Sequence, residues 1–147
     1  MVWSCLVSIL PGMAQTEKLT DYVNPFVGTD GYGNVYPGAQ IPFGGIQISP
    51  DTDSRFYDAA SGYKYNHLTL MGFSLTHLSG TGIPDLGDFL FIPGTGEMKL
   101  EPGTHEDPDQ GYRSRYSHDK EWASPNYYAV ELADYGVKAE MTSGVRS

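Results

Sequence analysis

The residue types best suited to chemistry are concentrated in one stretch, residues 72–88, which reads GFSLTHLSGTGIPDLGD. It combines the imidazole of His77, several hydroxyl groups, and the carboxylates of Asp85 and Asp88 with small residues. Imidazole, hydroxyl and carboxylate groups donate, accept and transfer protons, and glycines let a ligand approach the backbone closely. This stretch is therefore the first candidate for a functional site.

The elements that must position this stretch are strands. An alternating apolar and polar run enters it, and an apolar run at 89–92 leaves it, so two strands joined by a loop are predicted. Similar patterns predict strands at 44–50, 62–65, 67–76, 88–93, 97–100, 116–121, 127–132 and 136–142. The run at 67–76 is apolar on both faces, which is typical of a central strand, and 127–132 with 136–142 form the clearest hairpin.

The composition favours the same architecture. The chain of 147 residues contains 18 glycines, 10 prolines and 11 tyrosines, and no interior stretch has a sustained helical period. We predict a single all-β domain, an antiparallel β-sandwich that is expected to be incomplete at its C-terminus, because no closing turn or cap follows the last strand before Ser147. The chain has 18 acidic residues against 9 basic ones, which argues against a nucleic-acid partner held through phosphate contacts.

Other patterns give no metal or phosphate site. Residues 30–34, DGYGN, carry oxygen atoms that calcium could use, but they fail the EF-hand pattern. The glycine-rich loops match neither the P-loop motif G-x-x-x-x-G-K-[ST] nor the dinucleotide-binding motif G-x-G-x-x-G. His67, His105 and His118 have no ligand spacing and are predicted to lie on the surface.

The first 14 residues, MVWSCLVSILPGMA, are apolar, uncharged and end in small residues, as a secretory signal peptide does. The alternative is a buried strand or a membrane anchor, but the run is too short to span a bilayer. We therefore expect a secreted or periplasmic protein with no membrane span and a mature domain at 15–147. Cys5, the only cysteine, would leave with the signal peptide, so no disulfide is expected.

A series of short motifs in fixed order covers the chain from about Asp21 to its last residue. They are NPFVGT at 24–29, YPGA at 36–39 with PFG at 42–44, SPDT at 49–52, GY at 62–63, GFS at 72–74 with THLSGTG at 76–82, ASP at 123–125 with YY at 127–128, and YGVKAE at 135–140. In this order the motifs resemble the amino-terminal domain of glycoside hydrolase family 92. Members of that family are calcium-dependent inverting exo-α-mannosidases, usually secreted by bacteria.

The resemblance implies a galactose-mutarotase-like supersandwich whose loops pack on a following (α/α)6 barrel and help close a pocket around a terminal mannose. It implies that calcium and its ligands, the general acid and the general base belong to that barrel, which this chain lacks. The expected partners are mannose-containing glycans and the barrel domain. The residues expected to contact substrate are His77, Ser79, Thr81, Gly82, Ile83 and Asp85. Some family members carry an aromatic residue where this chain has Ile83.

An inverting glycosidase needs two carboxyl groups on opposite sides of the sugar, roughly 6.5–9.5 Å apart. Asp85 and Asp88 lie three residues apart on one loop and would share a wall of the pocket, so neither is predicted to be catalytic. Asp88 is instead expected to turn the chain into the next strand, and His77 has a second interpretation as a core or turn histidine. The alternative function is a non-catalytic carbohydrate-binding or interaction module.

Overall fold

The structure, a computed structural model, describes residues 17–53, 57–84 and 87–147. The predicted signal peptide and Asp85 lie outside these residues. Within them the chain forms eight strands: β1 (Ser49–Asp51), β2 (Thr69–Leu70), β3 (Gly72–Ser74), β4 (Leu90–Phe91), β5 (Ser114–Arg115), β6 (Glu121–Ser124), β7 (Tyr127–Leu132) and β8 (Val137–Met141). The helical elements there are 3-10 turns at Leu19–Tyr22, Tyr57–Ala59, Pro108–Gln110 and His118–Lys120. None of the described helices could cross a membrane.

The strands form antiparallel sheets with the orders β1-β3-β4, β2-β5 and β6-β7-β8. The prediction of an all-β antiparallel fold is therefore confirmed. The hairpin of β7 and β8 is confirmed as well, with Tyr128 opposite Met141 and Leu132 opposite Val137. Its sequence alternates because one face of the sheet is covered and the other is open.

The predicted strand at 67–76 is interrupted at Met71. The Met71 amide donates to the Asp51 carbonyl oxygen at 2.7 Å. At this residue the chain therefore ends its pairing with β5 and begins to pair with β1. β3 then lies between β1 and β4, as expected for a central strand.

Three other strand predictions are wrong. Residues 62–65 form a turn, because the Gly62 carbonyl oxygen accepts from the amides of both Thr52 and Asp53, at 2.7 and 3.2 Å, which a regular ladder does not allow. Residues 97–100 are irregular and exposed, with Met98 and Leu100 reaching solvent. The strand predicted at 116–121 is not formed either: β5 ends at Arg115, residues 118–120 form a 3-10 turn, and β6 begins only at Glu121. The Ser117 side chain accepts from the Asp119 amide and so caps this turn.

The core lies between the β6-β7-β8 sheet and strands β2 and β3. The inward face of β7 presents Tyr128, Val130 and Leu132, which have no exposed surface. Across the layer, the ring centroids of Phe73 on β3 and Tyr128 lie 6.4 Å apart. Leu70, Tyr63, Tyr116 and Met141 complete this cluster. The layers thus pack face to face, as in a sandwich.

A buried carboxylate lies inside this core. Glu121 Oε1 accepts hydrogen bonds from the hydroxyl of Tyr63 at 2.9 Å and that of Tyr128 at 2.5 Å, while Oε2 lies 2.6 Å from His118 Nδ1. Burial, first, and then the charge of Glu121 raise the pKa of the Tyr128 hydroxyl well above its ordinary value, so it remains a donor. The ring of His118 stacks on Tyr65 with centroids 4.0 Å apart, and this holds the imidazole over the carboxylate.

We expect Glu121→Ala to destabilise the chain by about 3–5 kcal/mol, because it removes the acceptor of two buried hydroxyls and the partner of His118. The matched control is Glu131→Ala on β7, whose exposed pair with Lys120 should contribute under about 1 kcal/mol. Urea unfolding of both variants measures the difference. Equal effects would show that the buried carboxylate contributes no more than the exposed one.

Candidate functional site

His77 anchors the base of the loop that follows β3. It is buried, with Nδ1 2.7 Å from the Gln47 carbonyl oxygen and Nε2 2.9 Å from Asp51 Oδ1. Its Nε2 also lies 3.0 Å from Ser74 Oγ. A nucleophilic triad needs the serine on one ring nitrogen and the carboxylate on the other. Here Ser74 and Asp51 both contact Nε2, so the arrangement is not a triad. Both nitrogens of His77 are directed at groups inside the protein.

The pair of His77 and Asp51 is enclosed on two sides. The ring of Tyr36 lies 5.0 Å from that of His77, centroid to centroid. On the other side is Gly62, at φ +86°, where an added Cβ would collide with Asp51 Oδ1 and lie 3.1 Å from His77 Nε2. The remaining oxygen of Asp51, Oδ2, is buried and has no hydrogen-bond partner among the described residues. Only a glycine fits beside this pair.

The outer part of the loop has the opposite character. Ser79, Gly82 and Ile83 are exposed, and the Thr81 hydroxyl donates to the Ile83 carbonyl oxygen at 3.2 Å. Apart from its two chain neighbours, no described residue has an atom within 4 Å of a Cβ built on Gly82, so among these residues the backbone there is open to a ligand. The amide of Gly80 donates to the Asn34 carbonyl oxygen at 2.6 Å, which joins this loop to the second glycine-rich loop at 30–34.

Five of the six residues predicted to contact substrate are described, and they lie in two places. His77 lies inside, at the base of the loop, whereas Ser79, Thr81, Gly82 and Ile83 lie on its outer part. Asp85 is outside the described residues. Substrate contact by this set stays a prediction, and in the structure the hydrogen bonds of His77 are made to Gln47 and Asp51 at the base of the loop.

Asp88 closes the loop. Its Oδ2 accepts from the Thr76 hydroxyl at 2.9 Å, and the Gly87 amide donates to the Thr76 carbonyl oxygen at 2.9 Å. These bonds fix the width of the loop where β4 begins. Asp88 is exposed and lies where the chain turns into β4, as the sequence predicted.

A second polar cluster was not recognised in the sequence. His67 and His105, predicted to be isolated surface residues, lie with ring centroids 4.0 Å apart. His105 Nδ1 lies 2.8 Å from Thr69 Oγ1, and Nε2 lies 3.4 Å from the buried Asp53 Oδ2. Arg113, also buried, donates to the Thr52 carbonyl oxygen at 2.5 Å. The spacing of 38 positions between the two histidines gave no signal, since irregular loops bring them together.

The pKa of His105 is lowered, first by burial and second by the positive charge of Arg113, against the smaller opposing effect of Asp53. The neutral imidazole is therefore the form that fits this cluster. No group of three or more His, Cys, Asp or Glu side chains in the described ranges could hold a metal ion.

We expect Gly62→Ala to cost about 2–4 kcal/mol, because it adds left-handed backbone strain to a collision with the buried Asp51 carboxylate. Gly136→Ala is the matched control, since φ there is +61° but the space is open, and about 1 kcal/mol is expected. Thermal unfolding of both variants tests this. Similar losses at both glycines would show that the His77 and Asp51 pair tolerates displacement.

We expect the cluster at His105 to make stability depend on pH. The pKa of His105 in the folded chain lies below its unfolded value of about 6.5, so the unfolded chain binds the proton more readily. The free energy of unfolding therefore decreases as pH falls through about 6.5. His105→Gln should flatten the curve between about pH 7.5 and 5 relative to the native chain. Denaturant midpoints across this range measure it, and identical curves for the two proteins would refute the assignment.

Comparison with known proteins gives one consistent result. Residues 22–147 match the glycosyl hydrolase family 92 N-terminal domain. An uncharacterized secreted glycosidase of Arthroderma benhamiae is 32% identical over 123 residues, which are 82% of this chain and 15% of that protein.

Two solved structures are also similar. The family GH92 glycosyl hydrolase CcMan5 has a TM-score of 0.70 and 31% identity, with 86% of this chain and 18% of that chain covered. The family GH92 inverting mannosidase BT2199 of Bacteroides thetaiotaomicron VPI-5482 shares the fold, with a TM-score of 0.58, 24% identity, and 87% and 17% coverage. The chain thus spans less than a fifth of the length of these relatives. It belongs to glycosyl hydrolase family 92, and residues 22–147 lie in the amino-terminal domain of that family.

Proposed function

We propose that this chain is the amino-terminal part of a secreted, inverting exo-α-mannosidase that removes terminal α-linked mannose from glycans. The observation that carries the proposal is the exposed segment 78–84, held by a buried histidine at its base and joined to a second glycine-rich loop. Family membership supports hydrolysis of a glycosidic bond. One relative of the same fold is described as an inverting mannosidase, and another relative as secreted.

In this proposal the loop contributes binding and not proton transfer. Mannose presents hydroxyl groups, which match the hydroxyls of Ser79 and Thr81 and the open backbone at Gly82. Ile83, 64% exposed, offers an apolar contact for the C–H face of the sugar. His77 holds the loop at the distance from β1 that these contacts require.

The chemistry of inversion is proposed to reside in the rest of the longer protein. Inversion requires a general acid and a general base on opposite faces of the sugar. Calcium requires several oxygen ligands in one place, and the described part of this chain has no cluster of three acidic or histidine side chains that could serve. We therefore assign the acid, the base and the calcium ligands to the remainder, and we propose that the sandwich alone does not turn over substrate.

We expect Thr81→Ala, introduced into the longer protein, to lower kcat/KM for an α-mannoside about tenfold, the effect of one lost hydrogen bond to the sugar. Thr95→Ala is the matched control, because Thr95 is an exposed threonine outside the loop that donates to the Tyr135 carbonyl oxygen. Mannose release with and without a calcium chelator is the measurement.

The proposal is supported if mannose release falls in Thr81→Ala, and falls in the unaltered protein when the chelator is added, but is unchanged in Thr95→Ala. Absence of mannose release by the unaltered longer protein would contradict it. If the isolated chain bound mannose without any turnover by the longer protein, the non-catalytic carbohydrate-binding module would be the better description.

A further inference from the structure

The outward face of the β6-β7-β8 sheet carries two aromatic side chains side by side. Ser124 pairs with Tyr127, and Trp122 lies two positions from Ser124 on the same strand, so Trp122 and Tyr127 are diagonal neighbours on one face. Trp122 is 45% exposed, while Ala129, its partner across the ladder, is buried. We call the set Trp122, Ser124, Tyr127, Lys138 and Glu140 the aromatic face.

Charged groups border the two rings. The Tyr127 hydroxyl donates to Glu140 Oε1 at 2.6 Å, and Lys138 Nζ lies 3.1 Å from the same oxygen. The ammonium of Lys138 is 5.6 Å from the centroid of the Trp122 ring, near the outer limit of a cation–π contact. Trp122, Ser124, Tyr127 and Lys138 line a shallow groove of about 440 Å³.

The aromatic face is rigid because its other side is the core. Tyr128, Val130 and Leu132 alternate with the outward residues of β7 and have no exposed surface. The backbone that carries the outward face is therefore fixed by packing without a ligand, which lowers the amount of ordering that binding there requires.

We propose that the aromatic face is a second sugar-binding site, in which one pyranose ring of a glycan stacks on Trp122. A pyranose has an apolar face of C–H groups and a rim of hydroxyls, so it needs an aromatic surface with donors and acceptors at its edge. Glu140 and the Tyr127 hydroxyl oxygen accept from the sugar hydroxyls, and the Lys138 ammonium donates to them. That the sugar is mannose rests on the proposed function above.

A protein partner fits this face less well. Lys138 and Glu140 are 47% and 52% exposed, and the neighbouring pair of Lys120 and Glu131 is exposed too. Covering these charges with protein would remove their water, whereas interface cores are depleted of charged residues. A sugar stacked on Trp122 leaves the charges hydrated at its edge.

The fluorescence of Trp122 tests the proposal directly. The chain contains two tryptophans, so in a Trp3→Phe background Trp122 is the only emitter. Titration of this 147-residue chain with a soluble α-mannan oligosaccharide is expected to give a saturable blue shift of the emission. In parallel, retention on immobilised mannan should weaken about tenfold in Trp122→Ala and recover largely in Trp122→Tyr, while Tyr57→Ala, an exposed tyrosine outside this face, should match the parent.

Three outcomes overturn the proposal. One is saturable mannan binding without any change in Trp122 emission, and another is no binding at all. The third is an emission change that depends on protein concentration without sugar, which would show that a second copy covers the face. None of these bears on mannose release by the longer protein, so failure here and failure of the proposed function are distinguishable.

Discussion

Two buried carboxylates, Asp51 and Glu121, constrain the chain segments around them. An ionised carboxyl group taken out of water without partners costs several kcal/mol, so the surrounding chain must supply donors. Around Glu121 these are two tyrosine hydroxyls and His118, and around Asp51 the donor is His77. Each set joins segments that are distant in sequence, so the short strands are held by polar anchors as much as by their ladders.

The two anchors support different surfaces. The bonds to Glu121 hold β6 against the core, and the other side of that sheet is the aromatic face around Trp122. The bonds to Asp51 hold the start of the loop at 78–84, whose outer residues remain free to meet a ligand. Rigid support beneath an exposed binding surface is the arrangement that lowers the entropic cost of binding. Both proposed sugar-binding surfaces therefore depend on buried polar groups that lie beneath them.

The sequence predicted those parts of the fold that follow from local alternation. The β7 and β8 hairpin was predicted because Val137, Ala139 and Met141 alternate with polar residues, and the all-β class followed from the glycine, proline and aromatic content. The predicted strand at 62–65 failed because the Gly62 carbonyl oxygen is shared by two amides of another segment, a tertiary contact that no local pattern records.

The sequence predicted the site only in part, again because tertiary contacts leave no local pattern. The loop at 72–88 stood out by its residue types, but the inward position of His77 depends on Asp51, 26 residues earlier, and on the Gln47 carbonyl oxygen. The cluster of His67, His105, Asp53 and Arg113 gave no signal at all, since its members lie on irregular segments without common spacing. Periodicity cannot report on contacts made between loops.

The most direct test of the account is a crystal structure of the longer protein with mannose bound. We predict hydrogen-bond distances between the sugar hydroxyls and the segment containing Ser79, Thr81 and Gly82, with His77 still bonded to Asp51 and Gln47. A bound mannose that makes no contact with residues 78–84, or a His77 ring turned outward onto the sugar, would contradict the division between a buried anchor and an exposed binding loop.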